Sequence, residues 1–259
     1  MAALLQVRKV SKRFGGLLAL DQVDLEVQEG TIHSIVGPNG SGKTTLFNVI
    51  SRFSEPSSGT ILFRGRDLGG LHPHTVAAMG MARTFQNVLT FRQMTVLENV
   101  MVGRHPRLRA RLLNAFVRPK WVAQEQEANV AKCMDLISFC GLAGKEGMIA
   151  ANIAYADQKR LEIARALATE PSLVLLDEPA AGTPTGEIAS LLQLIERIRD
   201  AGITVMLIEH KMDMVMTVSD LISVLNFGRK IAEGTPQEIS SDPKVIEAYL
   251  GRKWINAQA

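Results

Sequence analysis

The sequence predicts an α/β fold, and three observations predict it. The first is Thr31-Ile-His-Ser-Ile-Val36, a strand-like alternation that runs into a glycine-rich turn and then into Thr45-Leu-Phe-Asn-Val-Ile-Ser-Arg-Phe53, whose apolar residues at 46, 49, 50 and 53 have helical spacing. The second is a set of later apolar runs, Leu173-Val-Leu-Leu176, Ile203-Thr-Val-Met-Leu-Ile208 and Leu221-Ile-Ser-Val-Leu225, each of strand length. The third is that helical patterns separate these runs, as a parallel sheet with crossovers requires.

The remaining elements follow in chain order. Residues 4–10 and 23–28 alternate as strands joined by a turn containing Gly15-Gly16, which predicts an antiparallel opening. Residues 60–64 read as another strand, ended by Gly65; a Gly/His/Pro-punctuated stretch (69–74) precedes a short helix near Thr75–Met81. From Val96 to about Leu142 helical patterns dominate. The expected organisation is a single domain over 1–259, with a core from 1–87 and 161–235, a helical insertion at 88–160 and a C-terminal tail at 236–259.

A chain of 259 residues can bury a substantial core. Its net charge of +3 is too mild to indicate a nucleic-acid partner. No apolar run approaches the roughly 18 residues of a membrane span, and the first residues read as a strand rather than a signal peptide, so a cytoplasmic location is expected. Cys133 and Cys140, seven apart in a helical pattern, are expected to be free buried thiols. Met206, Met212, Met214 and Met216 read as core filler.

The turn after Val36 is Gly37, Pro38, Asn39, Gly40, Ser41, Gly42, Lys43 and Thr44, followed by Thr45. Between a strand and a helix, G-x-x-x-x-G-K-[ST] is a phosphate-binding loop. Backbone N–H groups at the positive end of the helix face the phosphates, and Gly40 and Gly42 remove side chains from their path. Lys43 neutralises the β/γ charge, and the Thr44 hydroxyl can ligate magnesium.

The run 173–176 delivers Asp177, Glu178 and Pro179 at its end. Asp, Glu and Pro are also ordinary turn residues. Alongside a phosphate loop, Asp177 is a candidate for the magnesium shell and Glu178 for the general base that polarises the attacking water. His210, after the next strand, is a candidate partner of the γ-phosphate. Gln86, in Arg83-Thr-Phe-Gln86-Asn at the junction of core and insertion, is a candidate for sensing magnesium and the water.

Together these residues resemble the ATP-binding-cassette (ABC) ATPases, the motor subunits of ABC transporters, over essentially the full chain. The resemblance implies a P-loop NTPase core with an antiparallel β subdomain and a helical subdomain, and ATP and Mg2+ as cofactors. It matches Gly37–Thr44 to Walker A, Gln86 to the Q-loop, Asp177 and Glu178 to Walker B and its catalytic glutamate, His210 to the switch histidine, and Phe14 to the aromatic that stacks on adenine. Arg83–Asn87, Met94–Asn99, Tyr155 with Arg160–Arg165, Pro179–Gly182 and Ile246–Gly251 are similar to segments of the longer ATPase subunit of high-affinity branched-chain amino acid importers. That resemblance implies a second ABC ATPase subunit, two membrane permease subunits and, indirectly, a periplasmic substrate-binding protein, with the chain peripheral on the cytoplasmic face of the bacterial inner membrane. A lipopolysaccharide-export-type ABC ATPase and a non-transport soluble ABC ATPase are the alternatives.

The chain departs from the family pattern where a cassette faces its partner. The Leu-Ser-x-Gly-Gln signature reads Ile153-Ala154-Tyr155-Ala156-Asp157-Gln158, and Thr183-Pro184 replaces Leu followed by Asn or Asp. Ala154 has no hydroxyl to donate, Ala156 adds a methyl where glycine allows close approach, and Pro184 lacks an N–H. A non-identical second cassette is therefore expected. The basic run Arg104, Arg107, Arg109, Arg111, Arg118 and Lys120 reads as a solvated loop, or alternatively as a contact for anionic lipid headgroups.

Overall fold

A computed structural model describes residues 3–107 and 120–250 of the chain. Strands β1 (Ala3–Phe14) and β2 (Leu17–Gln28) form the expected hairpin, with Phe14 opposite Leu17 and Gly15 in the left-handed region at φ 56°. With β4 (Ser58–Phe63) and the two-residue β5 (Arg66–Asp67) they make an antiparallel sheet in the order β2-β1-β4-β5.

The second sheet has the order β10-β9-β3-β8-β7-β6, from β3 (Ile32–Val36), β6 (Met81–Arg83), β7 (Leu173–Asp177), β8 (Thr204–Ile208), β9 (Leu221–Asn226) and β10 (Arg229–Gly234). All its pairs are parallel except β9 with β10. The central strands β3, β7 and β8 are buried throughout, and their side chains alternate between two cores. Val174, Leu176, Val205 and Leu207 face one core, shared with α5 (Tyr155–Leu167) and α6 (Thr185–Asp200). Leu173, Leu175, Met206 and Ile208 face the other, shared with α1 (Lys43–Ile50) and the antiparallel sheet.

Between β6 and β7 the chain is helical among its described residues, with α3 (Val96–Arg104), α4 (Lys120–Phe139) and α5. A capping box closes the start of α3, where Thr95 accepts the Glu98 amide and Glu98 accepts that of Thr95. Four short α-helices, α2 (Pro73–Ala78), α7 (Met212–Val218), α8 (Pro236–Ser241) and α9 (Pro243–Leu250), and two 3-10 turns, His105–Arg107 and Ala150–Asn152, complete the helices among the described residues. No helix among the described residues is long and apolar enough to cross a membrane.

Several sequence expectations change. The short helix begins at Pro73 and ends at Ala78, because Gly80 turns the chain at φ 102° and Met81 enters β6, where it pairs with Leu173. Phe53 lies beyond the end of α1 and is 57% exposed, so it is not on the buried face of that helix. In the basic run, Arg104 is buried and bonds Asn129 and Glu170, and Arg107 donates to the carbonyls of Thr169 and Glu170. Arg104 braces α3 against α4 and the segment after α5 and so is not in a solvated loop, whereas Arg107 is hydrogen-bonded but stays exposed. Arg109, Arg111, Arg118 and the Lys120 side chain lie outside the described residues, as do residues 251–259 of the expected tail. Cys133 and Cys140 are free and buried, and burial pushes the Cys140 thiol up to about 12. Met206 and Met214 are core residues, with Met212 and Met216 packed beside a third cluster.

On β3, His33 is 1% exposed and its Nε2 lies 2.9 Å from Ser223 Oγ, which donates to Glu233. Burial pushes its pKa down to about 4, against the pull of Glu233. The unfolded chain therefore binds the extra proton first as pH falls, so stability decreases from about pH 6.5 towards 4, by up to about 1.4 kcal/mol per pH unit. Urea unfolding of His33→Gln is expected to show a flatter pH dependence across that window than the parent chain.

Candidate active site

The phosphate loop takes its shape from close backbone contacts. A Cβ at Gly37 would overlap the Leu225 carbonyl of β9, and one at Gly42 would meet the Ala19 carbonyl of β2 at 2.7 Å. Gly40, at φ 77°, would meet nothing within 4 Å, so its face of the loop is open. The tip of the β9–β10 hairpin docks on the loop, with Gly228 N–H donating to Ser41 O at 2.9 Å. From α9, the Tyr249 hydroxyl accepts a hydrogen bond from Gly37 N–H, which opposes the upward push of burial on that phenol. Lys43 reaches back over the loop to the carbonyls of Gly37 (2.7 Å) and Pro38 (3.0 Å). Burial lowers its pKa, while Glu178 and Asp177 pull it up.

A cavity of about 900 Å³ opens over this loop. Among the sequence-predicted residues it is lined by Phe14, Asn39, Gly40, Gly42, Lys43, Thr44, Thr45, Gln86, Glu178 and His210. Phe14 is half exposed at its rim, with Lys12 Nζ 4.9 Å from the ring centre, and is not a core anchor. Gly37, Pro38, Ser41 and Asp177 do not line the cavity; Gly37, Ser41 and Asp177 are buried.

At the end of β7 both carboxylate oxygens of Glu178 are held. Gln86 Nε2 donates to Oε2 at 2.9 Å, and His210 Nε2 lies 2.8 Å from Oε1. Three elements distant in sequence thus converge on one carboxylate. Asp177 sits behind it, 2% exposed, with Oδ2 accepting from Arg83 at 3.0 Å. Burial raises the Asp177 pKa, and Arg83 pulls it back. Of the buried side-chain oxygens without a hydrogen-bond partner among the described residues, two belong to this site, Ser41 Oγ and Asp177 Oδ1. Buried polar atoms are rarely left so, and a hydroxyl and a carboxylate oxygen beside a lysine and an open helix start suit a magnesium-bound polyphosphate.

Sequence reasoning passed over the residues that support this set. Arg83 ties Asp177 to Asn48 and Ser51 of the α1 segment, and lies over the rings of Phe47, Phe53 and Phe85. Buried Lys159 of α5 donates to Gln86 O at 2.8 Å. Glu162, 2% exposed, faces the amides of Phe85 and Leu89, and burial raises its pKa. Arg83 and Glu162 lie inside segments that the sequence singles out, but Glu162 is one charge among several in Asp157–Arg165, and nothing local marks it as buried.

Residues 20–181 match the family model of ABC transporters, and residues 229–254 match a model described as branched-chain amino acid ATP-binding cassette transporter. The chain is 45% identical over 249 residues to the high-affinity branched-chain amino acid transport ATP-binding protein LivG of Salmonella typhimurium, covering 96% of this chain and 98% of that protein. It is 42% identical to the protein BraF of Pseudomonas aeruginosa, described in the same words, again over 96% and 98%. Among solved structures, the ADP conformation of an ATP-binding cassette of an ABC transporter superposes with a TM-score of 0.84 at 34% identity, covering 97% of this chain and all of the other.

Lys43→Ala removes the one ammonium within the loop. Titration with a fluorescent ATP analogue is expected to show binding about ten- to a hundredfold weaker, the loss of one charge-assisted hydrogen-bonding group, with the thermal midpoint little changed.

Proposed function

Because the chain belongs to the ABC transporter family, as one of its ATP-binding and ATP-hydrolysing cassettes, we propose that it is the motor subunit of an importer for branched-chain amino acids or a related amino acid or amide. The observation that carries the hydrolytic reading is the Glu178 carboxylate held between Gln86 and His210 over the phosphate loop. The names of its relatives and the match at residues 229–254 support the substrate class.

In this reading Phe14 stacks on the adenine, and the loop amides with Lys43 hold the phosphates. Glu178 accepts the proton of water as the water oxygen bonds the γ-phosphorus, and the bond to the β–γ bridging oxygen breaks to release ADP. Gln86 and His210 keep the base oriented. Thr44, Asp177 and Gln86 would hold Mg2+, which when bound supplies positive charge at the β/γ oxygens.

The permease side has its own candidate surface. A cavity of about 450 Å³ lies between α1, α2 and the helical insertion, lined by Phe53, Ala77, Phe85, Leu89, Phe91 and Val102. Phe53, Leu89 and Phe91 are 57%, 53% and 46% exposed, and Glu162 and Arg165 bring charge beside them. An apolar groove with charge at its side fits a short amphipathic segment of a membrane permease. Arg165 bonds Leu89 O at 2.6 Å and Lys159 bonds Gln86 O, so groove and Glu178 share a scaffold.

The second cassette is proposed to be non-identical. Ala154 is exposed at the start of α5 and Pro184 at the start of α6, and neither helix has a side-chain cap. The missing Ala154 hydroxyl forgoes a bond to a charged group worth about 1.5–3 kcal/mol. Ala156 is 6% exposed, so little of the residue is open to a facing nucleotide.

In the purified complex, Glu178→Gln in this chain is expected to lower ATP turnover by at least about a hundredfold with binding retained, while the matching change in the partner cassette leaves substantial turnover. The reverse pattern assigns the main hydrolytic activity to the partner cassette's own carboxylate. Leu89→Asp with Phe91→Asp is expected to abolish co-purification of the permease without altering ATP binding; retained co-purification removes the groove from the permease interface.

A further inference from the structure

Glu209 is a buried carboxylate, 3% exposed, that the hydrolysis scheme leaves unused. It directly follows β8, and its oxygens gather three backbone amides. Oε1 accepts from Ala180 N–H at 2.7 Å, Oε2 accepts from His210 N–H at 3.1 Å, and Lys211 N–H also bonds the carboxylate. Ala180 lies two residues after Glu178, on the turn that leaves β7. One side chain therefore ties the turn carrying the general base to the turn carrying His210.

That turn needs holding. Glu178 has φ 49°, a left-handed backbone that a non-glycine residue keeps only when its surroundings impose it. Its own N–H donates to Ile208 O at 2.9 Å, which fixes the entry to the turn. The Ala180 amide, held by Glu209, fixes the exit. The side chains meet on the far side, at the 2.8 Å contact between His210 Nε2 and Glu178 Oε1.

We propose that Glu209 is a positioning residue for hydrolysis, holding the strained Glu178 turn and His210 at the separation their side-chain contact requires. An ionised carboxylate suits the task because it accepts at both oxygens, whereas an amide would turn an N–H donor toward one group of amides. Burial raises the proton affinity of Glu209, and the amides of Ala180, His210 and Lys211 oppose that rise. The inference rests on the roles given above to Glu178 and His210.

The test compares Glu209→Ala and Glu209→Gln for ATP turnover in the intact transporter, with nucleotide affinity and thermal midpoint measured on the full-length chain. Glu209→Ala is expected to lower kcat about ten- to a hundredfold, with KM and ATP affinity within about threefold of the parent, the signature of a misplaced base. Glu209→Gln, which keeps size and one acceptor, is expected to lose about three- to tenfold. Placed on Glu178→Gln, Glu209→Ala is expected to cost nothing further. Parent-level kcat in the Gln variant overturns the proposal, and this arm decides if the Ala variant does not fold. Parallel loss of kcat, affinity and midpoint, or an additive loss on Glu178→Gln, also overturns it. Retained hydrolysis in Glu178→Gln alone overturns the site reading and this proposal with it; loss there with parent-level Glu209 variants overturns this proposal only.

Discussion

The parallel register of β3, β7 and β8 is the constraint on which the rest of the molecule depends. Ile35 on β3 and Asp177 on β7 both pair with Ile208 on β8, so the three strands end level with one another. The phosphate loop leaves β3, Glu178 follows β7, and Glu209 and His210 follow β8. Level ends place all of this chemistry on one edge of the sheet. A slip of one residue would exchange the side chains facing the two cores and also move Glu178 away from His210. Burial on both faces makes such a slip costly, and so the apolar alternation of the strands underwrites the polar geometry beyond them.

Buried charge does the second part of the work. Arg83, Asp177, Lys159 and Glu162 are ionisable groups in a largely apolar setting, and each is shifted mainly by burial. Each is also partnered across elements: Arg83 joins β6 to β7 and the α1 segment, while Lys159 and Glu162 join α5 to the backbone after β6. Breaking a buried pair is more damaging than the pair is stabilising. Such contacts therefore define which parts of the fold move together. In the proposed motor they connect the helical insertion, where a permease would press, to the carbonyl and side chain of Gln86.

The helix starts differ in how they are capped. Helices α3 and α8 begin with full capping boxes, at Thr95 with Glu98 and Thr235 with Glu238. Helices α5 and α6 begin at Ala154 and Pro184, where no side chain offers a cap. The capping boxes satisfy first-turn amides within the chain, whereas α1, α2 and α7, like α5 and α6, start without a side-chain cap.

The strand–loop–helix around Gly37–Thr44, the central strands, the β1–β2 hairpin and the helical character of the insertion are legible in the chain's local patterns. Periodicity and glycine placement act over a few residues. Short strands escape these patterns: β5, β6 and β10 are too brief, or too exposed, to alternate clearly, and they exist because a neighbouring strand offers hydrogen bonds. The candidate site divides the same way. Lys43 stands out by its place at a helix start, and Asp177, Glu178 and His210 by theirs at strand ends, but it takes the folded chain to bring Gln86 and His210 onto the same carboxylate. The folded chain likewise makes Arg104 brace a helix, brings Tyr249 to Gly37 and lets Glu209 gather the amides of two turns. Those facts join residues far apart in sequence, and spatial convergence has no period from which to read it.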